Sequence, residues 1–249
     1  MLLRFPREWL MGFAESEVGI RVRQVGEMIA RSAEKVRRDP HSVQLVAVCK
    51  TVEVTRIRLA LEAGVNSLGE NRVQEGQAKR PELKGYAFQY HLIGPLQRNK
   101  VNKALDVFDW VETVDSIELA RKLDVACRNQ AKILPILVQV KLAEEPTKAG
   151  LVEPQLLDFL QEISEFRGLS IRGLMTVPPF FDAPEDARPY FRQLRLLAER
   201  VKARNIPNVE MKELSMGMSH DFHVAIEEGA TIVRIGTAIF GTRPSIDRG

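Results

Sequence analysis

Gln44-Leu-Val-Ala-Val-Cys-Lys50 is a short apolar run bounded by Pro40-His41-Ser42 on one side and Thr51 on the other. Such a run reads as a strand buried on both faces, the kind found in parallel sheets. Its last residue breaks the pattern, because a lysine at the carboxyl end of a buried strand stands where the chain leaves the core and a pocket can open. Enclosed there, its ammonium loses hydration, its pKa falls, and the neutral amine becomes a nucleophile able to form a Schiff base with an aldehyde. Taken alone, Lys50 reads first as a solvated strand end, since most strand-terminal lysines are ordinary surface charges, and the rest of the chain has to shift that balance.

Working outward, the same unit recurs. Val18, Val22, Val25, Ile29 and Val36 mark an amphipathic helix over about residues 14–38, stopped before Pro40. After the Lys50 strand come a helix with Ile57 and Leu61 ended by Gly64, a strand from Val65 to Asn71, a helix from Arg72 to Arg80, and a strand from Ala87 to Ile93 closed by Gly94-Pro95. A helix over Leu96–Leu105 and a strand over Phe108–Val114 follow, and Asp115-Ser-Ile-Glu118 reads as a capping box with Asp115 as the cap. The second half adds strands at Ile133–Val140, Leu169–Met175, Met211–Leu214 and Thr231–Ile235, with helices between them and an irregular Val177–Pro184. Ala60-x-Glu62-x-Gly64 before the second strand recurs as Ala225-x-Glu227-x-Gly229 before the eighth.

Eight strands alternating with helices, after one extra N-terminal helix, predict an α/β fold: a single-domain (β/α)8 TIM-type barrel spanning residues 16–249, with residues 1–15 as a flexible extension. A doubly wound open sheet is the competitor, but it would normally begin with a glycine-rich turn, and Cys49-Lys-Thr-Val-Glu53 is not one.

Composition excludes several classes. A net charge of +3, with no basic run interleaved with aromatics, gives no footprint for nucleic acid. No apolar run approaches the length of a membrane span, and Pro6, Arg7 and Glu8 interrupt the N-terminal apolar stretch, so no signal peptide is expected. Cys49 and Cys127 lie in unrelated segments and suggest neither a disulfide framework nor a metal cage, which makes the cytoplasm the expected location.

In a barrel the carboxyl ends of all strands share one mouth. Lys50, Glu70-Asn71, Gly94-Pro95, Lys141, Met175-Thr176, Ser215-Met-Gly-Met-Ser219 and Arg234-Ile-Gly-Thr237 fall there. The small-residue turns after the last two strands have the character of a phosphate site, glycine letting backbone amides approach an anion while hydroxyls add donors. An amine opposite a phosphate turn calls for a ligand with both an aldehyde and a phosphate. Pyridoxal 5'-phosphate (PLP) fits, and so does a sugar phosphate aldol substrate. Arg234 keeps its proton and would leave a facing pyridine nitrogen unprotonated; on spacing alone it is equally a rim salt bridge.

His220 and His223, three apart on one helix, lack a third metal ligand; Arg98, Lys100 and Lys103 read as a solvated basic edge; His91 reads as a hydrogen-bonded core residue, and Met175 and Met216 as packing groups.

Leu45-Val-Ala-Val-Cys-Lys-Thr51, Leu68-Gly-Glu-Asn-Arg-Val-Gln-Glu75, Tyr90-His-Leu-Ile-Gly-Pro-Leu-Gln-Arg-Asn-Lys100, Gly173-Leu-Met-Thr-Val-Pro178, Leu214-Ser-Met-Gly-Met-Ser219 and Val233-Arg-Ile-Gly-Thr-Ala-Ile-Phe-Gly241 together closely resemble the pyridoxal phosphate homeostasis protein family. The resemblance runs from about residue 16 to the C-terminus. It implies a barrel like the N-terminal domain of alanine racemase, with PLP held as an internal aldimine on Lys50. It further implies phosphate contacts from Ser215, Gly236 and Thr237, Arg234 at the pyridine nitrogen, Asn71 beside the ring, and a part for Lys148 in cofactor transfer; Met175, at the mouth, is expected to pack on the ring or the core. Cys49, Arg72, Tyr90 and His220 depart from the residues usual in the family, and none of them is the Schiff-base lysine or part of the phosphate turns.

A non-catalytic PLP carrier is therefore expected, monomeric, with PLP-dependent apoenzymes as its recipients and no nucleic-acid, membrane or metal partner. The alternative is a PLP enzyme of the same fold, a racemase or decarboxylase. Such enzymes use a second domain, and the sequence runs only a short way past its eighth strand.

Overall fold

A computed structural model describes residues 16–143 and 149–241. The strands are β1 (Gln44–Val48), β2 (Ser67–Glu70), β3 (Gln89–Leu92), β4 (Trp110–Val114), β5 (Leu134–Lys141), β6 (Leu151–Val152), β7 (Leu169–Met175), β8 (Val209–Met218) and β9 (Ile232–Ile235). Every pairing is parallel; β1 joins β9 and β4 joins β5, so eight strands close into a ring in the order β1-β2-β3-β4-β5-β7-β8-β9. The barrel expected from the alternation is the fold observed.

Helices α1 (Glu17–Lys35), α2 (Val54–Glu62), α3 (Val73–Lys79), α4 (Val101–Leu105), α5 (Ile117–Asn129), α6 (Leu156–Ile163), α7 (Arg188–Lys202), α8 (Phe222–Glu227) and α9 (Thr237–Phe240) surround it. Ser16 caps α1 by accepting the Gly19 N–H at 3.0 Å, and the Val18, Val22, Val25 and Ile29 face is buried. Arg38, just beyond α1, donates to the carbonyls of Ile226 and Ala230 at 2.8 and 2.9 Å, tying the extra helix to the β9 approach. The repeated Ala-x-Glu-x-Gly motif ends α2 and α8 in the same way: Gly64 and Gly229 take φ of 98° and 105°, and the next residue bonds back to the alanine carbonyl.

Local differences from the periodicity reading have identifiable causes. β6, absent from that reading, is two residues long and pairs with the end of β5 outside the ring, too short to show alternation. The cap of α5 is Ser116, whose hydroxyl accepts from the Leu119 N–H, and not Asp115. β8 runs on through Met218, so the stretch read as a loop begins as strand and α8 starts only at Phe222. Residues 1–15, read as an extension, lie outside the described residues.

Apolar packing divides into two compartments. The larger lies between strands and helices and contains Ala47, Cys49, Leu68, Ile136, Leu160 and Phe191; full burial of each large side chain there contributes roughly 1.5–3 kcal/mol. The smaller lies inside the ring and consists of Val46, Leu137, Met175 and Ile232, with Trp110 and Val177 against it. The interior of a (β/α)8 barrel is usually filled by branched apolar side chains in layers. Here much of it is polar.

Candidate functional site

Strand alternation aims Lys50 at the mouth. On β1, Gln44 and Val46 face inward, Gln44 toward Ser67 and His91 and Val46 into the interior cluster, while Ala47 and Cys49 pack outward. The Cys49 N–H donates to the Gly69 carbonyl at 2.9 Å, so the ladder continues one residue past β1. Lys50 is the next inward residue, half-buried, before the chain turns away at Thr51 with φ of 60°.

A buried ion pair stands behind it. Lys79, at the end of α3, donates to the Cys49 carbonyl at 2.6 Å and to Glu70 Oε1 at 2.5 Å. The other Glu70 oxygen accepts the Asn71 N–H at 3.3 Å. Burial pushes the Glu70 carboxyl above the usual range, against the pull of Lys79. The β1–β2 register pairs Val48 with Gly69, so Lys50 and Asn71 leave their strands side by side and share one brace.

On the other flank, the β1–β9 register ends at Ala47 opposite Ile235. Gly236 follows against Val48; a Cβ there would lie 3.3 Å from the Val48 carbonyl oxygen. The N–H groups of Gly236 and Ala238 converge on the Ser219 hydroxyl at 3.2 and 3.3 Å. Ser219, Gly236 and Thr237 retain exposure, so this cluster of a hydroxyl and backbone donors is open on one side. An anionic oxygen at that turn would compete with the Ser219 oxygen for these two N–H groups and could accept the Ser219 hydroxyl hydrogen.

Ser215, expected at the phosphate turn, is not part of it. β8 carries one residue more than β9 between Ser215–Ile232 and Met218–Arg234, and Gly217 takes φ of 91° inside that bulge. Ser215 is thereby left inside the barrel, where its hydroxyl donates to Glu112 Oε2 at 2.6 Å and accepts from Arg234 Nη1 at 2.5 Å. The serine that reaches the turn is Ser219. It stands in the same Ser-Met-Gly-Met-Ser stretch, and only the bulge distinguishes the two.

Arg234 lies inside the ring and not on its rim. Its Nη2 donates to the Thr176 carbonyl at 2.9 Å, leaving three of its five N–H donors uncommitted by these two bonds. Burial lowers its pKa, opposed by the charges of Glu112 and Asp221. Glu112 is fully buried; burial alone would raise its carboxyl, but hydrogen bonds from His91 and Ser215 and the charges of His91 and Arg234 hold it below the usual value. His91 Nδ1 lies 2.7 Å from Glu112 Oε1, and its ring stacks on Trp110 at 5.3 Å. Met175 packs beneath with Val46 and Ile232. The sequence reading did not single out Glu112, and it held Ser219 only as the last residue of the small-residue stretch, choosing Ser215 from it.

A recess of about 650 Å³ opens over the β3 and β4 exits, lined by Leu96, Gln97, Arg98 and Asp115 among others. Neither Lys50 nor Gly236 lines it. His220 is used locally, its Nε2 lying 3.0 Å from the Asp182 carbonyl oxygen, and among the described residues no group of three or more His, Cys, Asp or Glu could hold a metal ion. Lys148 lies outside the described residues. No helix among the described residues is long and apolar enough to cross a membrane.

Residues 27–244 match the family described as alanine racemase, N-terminal domain. The pyridoxal phosphate homeostasis protein of Aquifex aeolicus is 39% identical over 90% of this chain and 97% of its own length, and that of Escherichia coli K12 is 35% identical over 92% and 97%. Among solved structures, PipY of Synechococcus elongatus with PLP bound superposes with a TM-score of 0.78 at 38% identity, covering 88% of this chain and all of that one. Alanine racemase of Clostridium difficile, at 16% identity and a TM-score of 0.70 over 92% of this chain and 58% of its own, shares the fold.

Proposed function

The chain belongs to the pyridoxal phosphate homeostasis protein family, and from that footing we propose that it binds PLP as a carrier, with Lys50 holding the aldehyde as a Schiff base. The observation that carries the reading is the register that sets Lys50 two residues past the Val48–Gly236 contact, an amine beside a turn of converging N–H donors. PLP carries an aldehyde and a phosphate on one rigid ring, and the site offers a partner for each. Condensation joins the Lys50 amine to the aldehyde carbon and releases one water.

In this reading the Gly236 and Ala238 N–H groups would exchange the Ser219 oxygen for the phosphate, joined by the Ser219 and Thr237 hydroxyls, while Arg234 would supply a donor to the ring nitrogen, Asn71 would flank the ring, and Met175 would lie below it. When bound, PLP supplies an electron sink whose strength depends on protonation of its ring nitrogen. A guanidinium donor facing that nitrogen leaves it unprotonated and weakens the sink. This supports storage and delivery to PLP-dependent apoenzymes over turnover, and the relatives' naming as homeostasis proteins fits a role other than turnover. We place the protein in the cytoplasm as a monomer.

The test is borohydride reduction of the PLP-loaded protein followed by peptide mapping. The adduct is expected on Lys50 and absent from Lys50→Ala. A covalent adduct that maps elsewhere in the wild-type protein sinks the proposal. Alanine racemisation that disappears in Lys50→Ala would overturn the carrier role.

A further inference from the structure

We propose that Glu112 is a positioning residue that fixes the Arg234 guanidinium through the Ser215 hydroxyl, and so sets the contact between Arg234 and the ring nitrogen of bound PLP. The inference rests on the PLP reading and deepens it.

The geometry is unusual for a barrel interior. Glu112 on β4 and Arg234 on β9 are separated by three strands in either direction round the ring, β3, β2 and β1 one way and β5, β7 and β8 the other. They face each other across the full width of the barrel, and the Ser215 hydroxyl spans the remaining gap, donating to Glu112 and accepting from Arg234. The carboxylate is itself oriented, since His91 holds its other oxygen and Gln44 Nε2 lies 3.4 Å behind His91 Nε2. Both Glu112 oxygens are committed; Glu112, Ser215, Arg234 and His91 are buried, and Gln44 is half-buried.

Stability alone does not call for such a network. Replacing a buried ion pair by packed apolar side chains is often neutral or stabilising, and this barrel already packs Val46, Leu137, Met175 and Ile232 in the same interior. What the network does that apolar packing could not is hold a guanidinium in one orientation with donors to spare. Because Arg234 bonds Ser215 on one nitrogen and the Thr176 carbonyl on the other, the plane of the fork is set. Loss of the Glu112 charge would leave Ser215 free to rotate and remove the stronger of the two carboxylate charges acting on Arg234, the other being Asp221.

The experiment compares wild type with Glu112→Gln and Ser215→Ala, reading PLP dissociation and the absorption maximum of the borohydride-reducible species, with inorganic phosphate as the control probe. Each substitution is expected to weaken PLP retention about tenfold and to shift the absorption maximum. Phosphate affinity should hold, because the turn at Gly236 is untouched. The double variant should be no worse than the more affected single one, since both break the same chain. A purely structural role would lower the melting temperature and leave the band and the PLP-to-phosphate ratio unchanged, which would overturn the proposal. Ser215→Ala keeps the test open if Glu112→Gln fails to fold. If wild type acquires no adduct at Lys50, the PLP reading fails; if it does and both variants keep its band and affinity, only the role of Glu112 fails.

Discussion

Glu112 and Arg234 stand on opposite walls of the barrel and share one hydroxyl, that of Ser215, between them. Ionisation of Glu112 is therefore built into the folded interior, and stability must respond to acid. Its folded pKa lies below the ordinary value of 4.5, so its contribution is present above that value and is lost as pH falls through the folded pKa. Urea melts across pH 3 to 7 should show wild type losing stability below about pH 4.5, and Glu112→Gln should be less stable at neutral pH with a flatter acid limb. Parallel acid limbs in the two proteins would show that Glu112 titrates without a folded-state preference.

Glu70 carries the opposite sign. Burial raises its pKa despite Lys79, so its ionised form costs stability as pH rises, and Lys79 offsets that cost. Lys79→Met should leave a carboxylate buried without its cation, a loss of about 3–5 kcal/mol by the usual cost of breaking such a pair. Lys79→Met with Glu70→Gln should recover part of the loss. Chemical denaturation of the four proteins closes the cycle, and additive effects would mean that the 2.5 Å contact has no energetic coupling.

The turn at Gly236–Ala238 separates two serines that the sequence cannot. Ser219→Ala should weaken both PLP and inorganic phosphate about tenfold, since Ser219 sits with the Gly236 and Ala238 donors. Ser215→Ala should weaken PLP and spare phosphate. Calorimetric titration with each probe checks the contrast, and equal losses of phosphate affinity in the two variants would put both hydroxyls at the turn.

How much of this was legible in the sequence depended on the period of the signal. Alternation of apolar runs with helical stripes is repeated eight times, so the barrel could be read from Gln44–Lys50 outward, and the strand ends put Lys50 and Gly236 in one mouth. The interior was harder. Glu112 sits in Trp110-Val-Glu-Thr-Val114, where one acidic residue in an apolar strand shows no partner until His91 of β3 and Ser215 of β8 are placed around it. Ser215 and Ser219 differ by a bulge at Gly217, a matter of register, and composition carries no register. β6 is only two residues long and leaves no pattern at all.

Both thiols should be silent in the native protein. Cys49 and Cys127 are free and buried; burial pushes the Cys49 thiol well up and that of Cys127 to about 11. A thiolate is the reacting form, so reaction with a disulfide reagent at pH 8 should follow opening of the structure. Immediate stoichiometric labelling without denaturant would contradict the packing of Cys49 behind Lys50.

Gly94 supplies the sharpest steric test. A Cβ at this position would lie 2.3 Å from the Asn71 carbonyl oxygen and 2.7 Å from its Cα, contacts with backbone that no rotamer change can relieve. The Gly94 carbonyl is in turn held by the Thr113 hydroxyl at 2.9 Å. Gly94→Ala must therefore push the Asn71 peptide away from β3, and Asn71 leaves β2 beside Lys50. The expected result is a loss of about 1–3 kcal/mol in stability, together with weaker PLP retention at temperatures where the fold is intact. Thr113→Val removes the hydroxyl without adding bulk near Asn71; it should cost about 1 kcal/mol and leave retention near wild type. Melting curves and PLP dissociation measured on the same samples separate the two effects. Retention lost equally in both variants would mean that the Gly94 carbonyl, and not its clearance from Asn71, shapes this side of the mouth.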